Sequence, residues 1–219
     1  MPRSVKTDTK KAKKSIDLIV DSVNLLKRIY LNRKNPNIPS PIKYLAAVST
    51  SLFLCSEIYE VYQEYIKIKD DVYNDQTLNA SEKREHYTQT IREGIDYLAE
   101  NAINLSGNAP TVNIPVPTLQ STEKVKVNIE DLVKDGEKVI DIYTNNAPMS
   151  FLRKTWKKIR CTLSIVNTAR RIYDKYLTIK DKIDSDTTIA PADKKHYFKQ
   201  TARIGVNHFA ETIIKKYVK

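Results

Sequence analysis

Side chains able to bind metals or act as nucleophiles are few and widely spaced in this chain of 219 residues. Of the three histidines, His86, His196 and His208, the last two share one predicted helix but lie about 18 Å apart along it. The two cysteines, Cys55 and Cys161, are too few for a zinc site or a disulfide framework. Cys55 ends the apolar run SLFLC, which predicts a buried and unreactive thiol. The sequence therefore predicts neither a metal site nor a cofactor.

Carboxylates and glycines also lack the spacing that catalysis needs. Asp75 and Asp186 each follow a predicted helix and stand two residues before Thr77 and Thr188, a spacing typical of side-chain bonds within turns. Four isolated glycines cannot form a phosphate-binding loop, and no G-x-S-x-G motif occurs. These observations predict a protein that is not an enzyme and has no catalytic residue.

The basic stretch RKTWKKIR, residues 153–160, is the strongest candidate for a binding surface. It places five basic residues and the only tryptophan in eight positions. The whole chain has a net charge of +11 and a pI of about 9.4. Such a charge favours anionic partners, of which nucleic acid and acidic membrane are the main classes.

Composition favours helices over strands. Only four glycines occur, and the helix-forming residues Lys, Leu, Ala and Glu are common. The longest uncharged helical run, residues 44–56, is shorter than the about 20 residues of a membrane crossing. The uncharged residues 101–122 contain three prolines, which exclude a spanning helix there. Because the N-terminus also lacks a signal peptide, we expect an intracellular protein, cytoplasmic or nuclear, or one inside a virion, that is not secreted by a classical signal.

An internal repeat organises the chain. Shifted by 111 positions, residues 62–103 match residues 173–214 at 15 of 42 positions, where chance gives about three. A shift of 113 aligns the earlier segment that ends at Tyr30 with the one that ends at Tyr143. The fold predicted is therefore all-α, a tandem duplication of a three-helix module with a long central helix in each copy.

The two copies predict each other's boundaries. We expect a basic flexible tail over 1–14, a first module over 15–105, a proline-containing linker over 106–127 and a second, basic module over 128–219. The predicted helices are 15–33, 41–74 and 80–105, then 128–145, 148–185 and 191–218. Gly94 and Gly205 recur in the third helix of each copy, where a close approach to a neighbouring helix explains them.

Six cations of the predicted fifth helix fall within about 60° of one another at 100° per residue. They are Arg153, Lys157, Arg160, Arg171, Lys175 and Lys182. We call this set the basic stripe; it runs about 44 Å at 1.5 Å per residue. On the opposite side, where we expect the core, lie Ile159, Val166, Ala169, Ile172, Tyr173 and Tyr176.

The first copy has no such stripe. Its equivalent positions carry Ile42, Ala46, Ser49, Glu60, Glu64 and Asp71. Residues 15–110 have a charge of −3, whereas residues 111–219 have +9 and residues 1–14 have +5. A solvated helix face does not require charge of one sign, so the difference indicates a binding role for the stripe.

Two functions of different classes fit this pattern. In the first, the stripe and the basic N-terminus bind nucleic acid through its phosphates, independently of sequence, since no helix-turn-helix or zinc finger occurs. In the second, Glu60, Glu64 and Asp71 meet the stripe within a chain or between chains, which gives a protein–protein contact or a self-assembling homo-oligomer. Contact of a basic helix with an anionic membrane surface ranks lower, because the apolar face of that helix is assigned to the core.

Overall fold

A computed structural model describes residues 4–31, 37, 39–103, 116–145 and 148–218. In this part of the chain the secondary structure consists of six α-helices, with no strand. The helices are α1 (Val5–Leu31), α2 (Ser40–Tyr73), α3 (Ala80–Ile103), α4 (Val116–Thr144), α5 (Phe151–Ser185) and α6 (Pro191–Tyr217). The predicted all-α class is confirmed.

In the first half, α1 packs against both α2 and α3. A core forms where the C-terminal part of α2 meets the start of α3 and the N-terminal turns of α1. Ala12, Ile68, Val72, Tyr87 and Ile91 are buried there. These helices owe most of their stability to this packing, because an isolated helix is only marginally stable in water.

In the second half, α4 packs against both α5 and α6. Its core holds Val125, Ile129, Ile179, Ile183 and Ile189. The central helix is again the longest of its half, with 34 residues in α2 and 35 in α5. The long central helices of the sequence prediction are therefore present.

The two halves pack on one another through α2 with α5 and through α3 with α6. Cys55 of α2 is buried with Val139 and Ile165, and the rings of Tyr59 and Tyr143 stack with their centroids 4.5 Å apart. Burial of aromatic rings in such pairs contributes strongly to an interface. The halves therefore share buried surface and position α5 against α2.

The C-terminus also joins the halves. Val218 is buried within the core of the first half, among residues of α1, α2 and α3. Lys69 of α2 donates a hydrogen bond to the carbonyl oxygen of Tyr217 at 3.0 Å. Burial and the neighbouring Glu137 raise the pKa of Tyr217 to about 12, so its hydroxyl is protonated at neutral pH.

Capping residues set several helix ends. Asn79 accepts hydrogen bonds from the amides of Ser81 and Glu82, while Glu82 accepts from the Asn79 amide, which is a capping box at the start of α3. Ser150 accepts from the amide of Arg153 at the start of α5. The predicted starts of α3 and α6 are confirmed, whereas α5 begins three residues after the predicted 148.

The predicted flexible tail over 1–14 is wrong from residue 5 onward, because α1 begins at Val5. Asp8, Thr9 and Ala12 are buried, and Asp8 lies 2.9 Å from the ring of His86. The lysines of this segment occupy the remaining faces of the helix, so a high lysine content hid an amphipathic pattern. Residues 1–3 lie outside the described part of the chain.

The predicted linker over 106–127 is also too long at its C-terminal end. Helix α4 begins at Val116, and Thr122 and Val125 are buried. Pro117 stands in the first turn, where a missing amide hydrogen costs no hydrogen bond. The second half therefore includes residues 116–127, while 106–115 lie outside the described residues.

Several contacts recur in both halves at the spacing of the sequence repeat. A Cβ added at Gly94 would overlap the Tyr65 hydroxyl, and one added at Gly205 would overlap the Tyr176 hydroxyl. Burial raises the pKa of Tyr65 and raises that of Tyr176 to about 12, so both hydroxyls are protonated at neutral pH. The predicted close approach at both glycines is confirmed, and the neighbour is a tyrosine side chain of the central helix.

The turn after each central helix recurs as well. Asp75 accepts hydrogen bonds from the amide and hydroxyl of Thr77 at 2.8 and 2.6 Å. Asp186 accepts from Thr188 at the same two distances. Bonding to Thr188 lowers the pKa of Asp186. The predicted turn-forming role of these aspartates is confirmed.

Candidate nucleic-acid interface

All six cations of the basic stripe lie on α5, and all six are exposed. Because they recur at helical spacing on one continuous helix, they form a single line on its solvent-facing side. The equivalent residues of α2 include Glu60, which is exposed, and Glu64, which is half-buried. The contrast in charge between the two central helices therefore exists at the protein surface.

Most of the stripe is not neutralised by the residues that the structure describes. Among the described residues, no acidic side chain forms an ion pair with Arg153, Lys157, Arg160 or Lys175. Arg171 lies 4.0 Å from Asp131 of α4 and donates to the hydroxyl of Thr168. Exposed cations without an acidic partner are available to an anionic ligand.

The buried face of α5 is turned relative to the prediction. Its buried residues are Thr162, Ile165, Thr168, Ile179 and Ile183. Of the six residues predicted to face the core, Ile172 and Tyr176 pack against the core of the second half. Ala169 and Tyr173 are exposed, so their assignment to the core is wrong.

The rotation of α5 about its own axis is set by a buried polar contact with α4, which the apolar pattern of the sequence does not reveal. Asp135 of α4 is buried and accepts hydrogen bonds from Lys138, Ser164 and Thr168 at 2.7, 2.7 and 3.2 Å. Burial alone would raise the pKa of Asp135, but the hydrogen bonds from Lys138, Ser164 and Thr168 lower it below its ordinary value. This anchor places Thr168 toward α4 and leaves the basic stripe on the outer side.

Replacing Asp135→Asn is expected to destabilise the fold by roughly 1–3 kcal/mol at neutral pH, because an amide cannot replace the carboxylate as acceptor for all three donors. A carboxylate whose pKa is lowered in the folded state stabilises the fold at pH values above the ordinary pKa of an aspartate. This stabilisation is lost as pH falls through the lowered pKa. Thermal unfolding at neutral pH and near pH 3 tests this: the difference between wild type and variant should shrink in acid.

A suitable control is Asp141→Asn, which alters an exposed carboxylate of the same helix and should leave the melting temperature nearly unchanged. If Asp135→Asn also leaves the melting temperature unchanged at neutral pH, the anchoring role of Asp135 is wrong.

The N-terminal end of the stripe forms a shallow groove. It has a volume of about 330 Å³ and is lined by Arg153, Trp156, Lys157 and Arg160. The Trp156 side chain is 65 % exposed. An exposed indole beside guanidinium and ammonium groups can stack on a nucleobase while the cations contact phosphate.

Glu60 and Glu64 of α2 do not pair with the stripe in the described part of the chain. Neither Glu60 nor Glu64 forms an ion pair among the described residues. One contact that does join α2 and α5 is uncharged: the Cys55 thiol lies 2.7 Å from the Thr162 hydroxyl. At Glu60 and Glu64, therefore, complementary charge does not join these two helices.

Residues that could carry other chemistry occupy structural positions. Cys55 is buried, and burial raises the pKa of its thiol, so it is no reactive thiolate. His86 pairs with Asp8, and His208 lies 3.3 Å from Glu130. In the described ranges, no group of three His, Cys, Asp or Glu side chains is placed to hold a metal ion.

None of the helices, over the residues described for them, combines the length and apolar character of a membrane span. Comparison of the chain with protein-family models, curated proteins and solved structures found no match.

Proposed function

We propose that this chain is a non-enzymatic helical protein that binds nucleic acid through its phosphates, independently of sequence, with the basic stripe of α5 as the main contact surface. One observation carries the proposal: the stripe is a line of six exposed cations, four of which have no acidic partner among the described residues. On this proposal the protein acts where nucleic acid is accessible, in the cytoplasm, the nucleus or a virion.

The length of the stripe suits a nucleic-acid backbone. Its about 44 Å corresponds to roughly 13 phosphates of one strand at 3.4 Å spacing. Three members are arginines, whose forked donors match phosphate oxygens. Contacts of lysine and arginine with phosphate oxygens carry no sequence information, which supports binding that does not depend on sequence.

Helix α1 supplies a second basic surface. Its first turns carry the exposed Lys6, Lys10, Lys11 and Lys14. These lysines were predicted to act from a flexible tail; on a helix they are fixed relative to the first half, because Asp8 and Ala12 anchor that segment. We infer that they add phosphate contacts to those of α5.

We further propose that the two halves descend from one duplicated three-helix module. The recurrence of the glycine–tyrosine contact and of the aspartate–threonine turn supports this. A third pair of equivalent positions also supports it. Tyr97 donates a hydrogen bond to Asp17 in the first half, and His208 lies beside Glu130 in the second. On this view the basic stripe is a property acquired by one copy alone.

The proposal is tested by neutralising two cations of the stripe. Lys157→Gln with Lys175→Gln is expected to weaken binding to either of two duplexes of unrelated sequence by at least about 10-fold at low salt. The matched control, Lys67→Gln with Lys195→Gln, removes the same charge from exposed positions on α2 and α6 and should have a much smaller effect. Equal effects of the two pairs, or no binding by the wild type, would refute the proposal.

A second candidate function is assembly of copies through Glu60 and Glu64. It is favoured by the observation that these acids form no ion pair among the described residues. An acidic α2 of one copy against the basic stripe of the next is a heterologous contact, which would give rings or filaments. If Glu60→Lys with Glu64→Lys leaves the mass in solution unchanged, this candidate fails.

A further inference from the structure

Helix α5 carries a second feature beside its basic stripe, an apolar line with alternating four- and three-residue spacing. It consists of Leu152, Trp156, Ile159, Leu163, Val166, Arg170, Tyr173 and Leu177, which we call the α5 seam. The spacing is that of the a and d positions of a coiled coil, sustained over more than three heptads. The seam is apolar except for Arg170.

The described part of the chain leaves most of the α5 seam exposed. Leu152, Trp156, Leu163 and Tyr173 are 71 %, 65 %, 51 % and 57 % exposed. Ile159 and Val166 are half-buried. Soluble proteins rarely expose a contiguous apolar patch of more than a few hundred Å² unless it contacts a partner.

Charges along one edge of the seam indicate what covers it. A row at seven-residue spacing flanks the seam on the side of the basic stripe, at the positions called e in a coiled coil. The row reads Arg153, Arg160, Asn167, Asp174 and Asp181, and all five are exposed. It is basic at the N-terminal end and acidic at the C-terminal end, with an uncharged residue in the middle.

This row is complementary to itself when one copy is reversed. In an antiparallel helix pair the e positions of the two helices face each other on one side. The two arginines of each copy then lie next to the two aspartates of the other, and the two copies of Asn167 lie near the symmetry axis. In this register Ile159 of each copy faces Leu177 of the other, Leu163 faces Tyr173, and Val166 faces the stem of Arg170.

The charges of this row are available for such pairing. Arg153, Arg160 and Asp181 form no ion pair among the described residues. Asp174 lies 3.6 Å from Arg170 in an exposed pair of the same helix. Such exposed ion pairs contribute little to stability, so Asp174 can leave Arg170 to pair with an arginine of the other copy.

We propose that the α5 seam is the interface of an antiparallel homodimer with two-fold symmetry. An anionic membrane lying on the seam would suit the arginine end of the row but would be repelled by Asp174 and Asp181. A second copy satisfies both ends, and the isologous contact closes at two chains. Because the e positions of both helices lie on one side, the dimer places its two basic stripes on the same face. Arg153 and Arg160 of each stripe pair with aspartates of the other copy, and the remaining four cations of each stripe stay open to phosphate.

The dimer is tested on the full chain, freed of nucleic acid, by sedimentation equilibrium over a range of micromolar concentrations. We expect a mass near 50 kDa, twice the chain mass of 25.2 kDa. Leu163→Glu places a carboxylate against the Tyr173 ring of the other copy in two layers of the seam and should raise the dissociation constant at least ten-fold. The control Val127→Glu, at an exposed apolar position of α4, should leave it unchanged.

Orientation is tested by charge. Arg153→Asp with Arg160→Asp should raise the dissociation constant, and adding Asp174→Arg with Asp181→Arg in the same chain should restore it. A wild type of single-chain mass at every concentration overturns the proposal. A dimer that Leu163→Glu leaves intact also overturns it. The same holds if the chain is monomeric and binds anionic vesicles through Trp156 and Leu163. Because nucleic acid is absent, these outcomes are independent of the proposed function.

Discussion

Giving α5 the acids of α2 is expected to weaken binding to a 20-base-pair duplex by about 100-fold or more at low salt. The substitutions are Arg171→Glu, Lys175→Glu and Lys182→Asp, the residues that stand 111 positions earlier. Each removes a cation that displaces a counterion from the backbone and adds a charge that repels phosphate. Fluorescence anisotropy with a labelled duplex measures the change.

Net charge and local charge are separated by a compensated variant. Adding Glu60→Arg, Glu64→Lys and Asp71→Lys to the same chain returns the net charge to +11 while the stripe on α5 remains acidic at three positions. Binding should stay well below that of the wild type. Full recovery would mean that total charge, and not the stripe, determines affinity, which contradicts the account.

The second large effect concerns stability. Gly94→Ala and Gly205→Ala are each expected to lower the free energy of unfolding by roughly 1–3 kcal/mol, although alanine is the better helix former. The added methyl group overlaps the hydroxyl of Tyr65 in one half and of Tyr176 in the other. For a chain of this size each kcal/mol lowers the melting temperature by about 2–4 °C.

Two controls make this prediction specific. Gly136 lies mid-helix in α4 with open space at its Cβ position, so Gly136→Ala should stabilise the fold by up to about 1 kcal/mol. Adding Tyr65→Phe to Gly94→Ala removes the overlapping hydroxyl and should recover part of the loss. If Gly94→Ala and Gly136→Ala shift the melting temperature in the same direction, tight packing at Gly94 is wrong.

Helix positions could be predicted from the sequence where local signals set them. Pro191 at the first position of α6 and the capping box of Asn79 with Glu82 fix helix starts by backbone chemistry alone. The glycine pair also carried a local signal, since a helix-interior glycine that recurs needs a neighbour that excludes a side chain. Such features depend on a few adjacent residues, and a single sequence contains them.

The extent of α1 and α4 could not be predicted, because tertiary contacts extend both helices. The lysine-rich residues 5–14 form a helix because Asp8 and Ala12 pack against the first half. Pro117 indicated a linker, yet it begins a helix whose Val125 completes the second core. The composition of these segments is dominated by their exposed residues, so it does not indicate the few residues that are buried.

Which side of α5 is buried depends on a polar contact between helices. Thr162 and Thr168 are buried because they contact Cys55 and Asp135, partners 107 and 33 residues away in sequence. An apolar periodicity assigns Tyr173 to the core with equal weight, and only the packing of α4 and α2 against α5 exposes it. The positions of the six cations were predictable, because exposure of lysine and arginine needs no partner.

The proposed function requires a surface that engages several phosphates at once, and the salt dependence of binding tests this most directly. For the wild type, the logarithm of the association constant should fall with the logarithm of salt concentration with a slope of about −4 to −5. The variant with Arg171→Glu, Lys175→Glu and Lys182→Asp should give a slope of about −2. A slope near zero for the wild type, or the same slope for both proteins, would contradict the account.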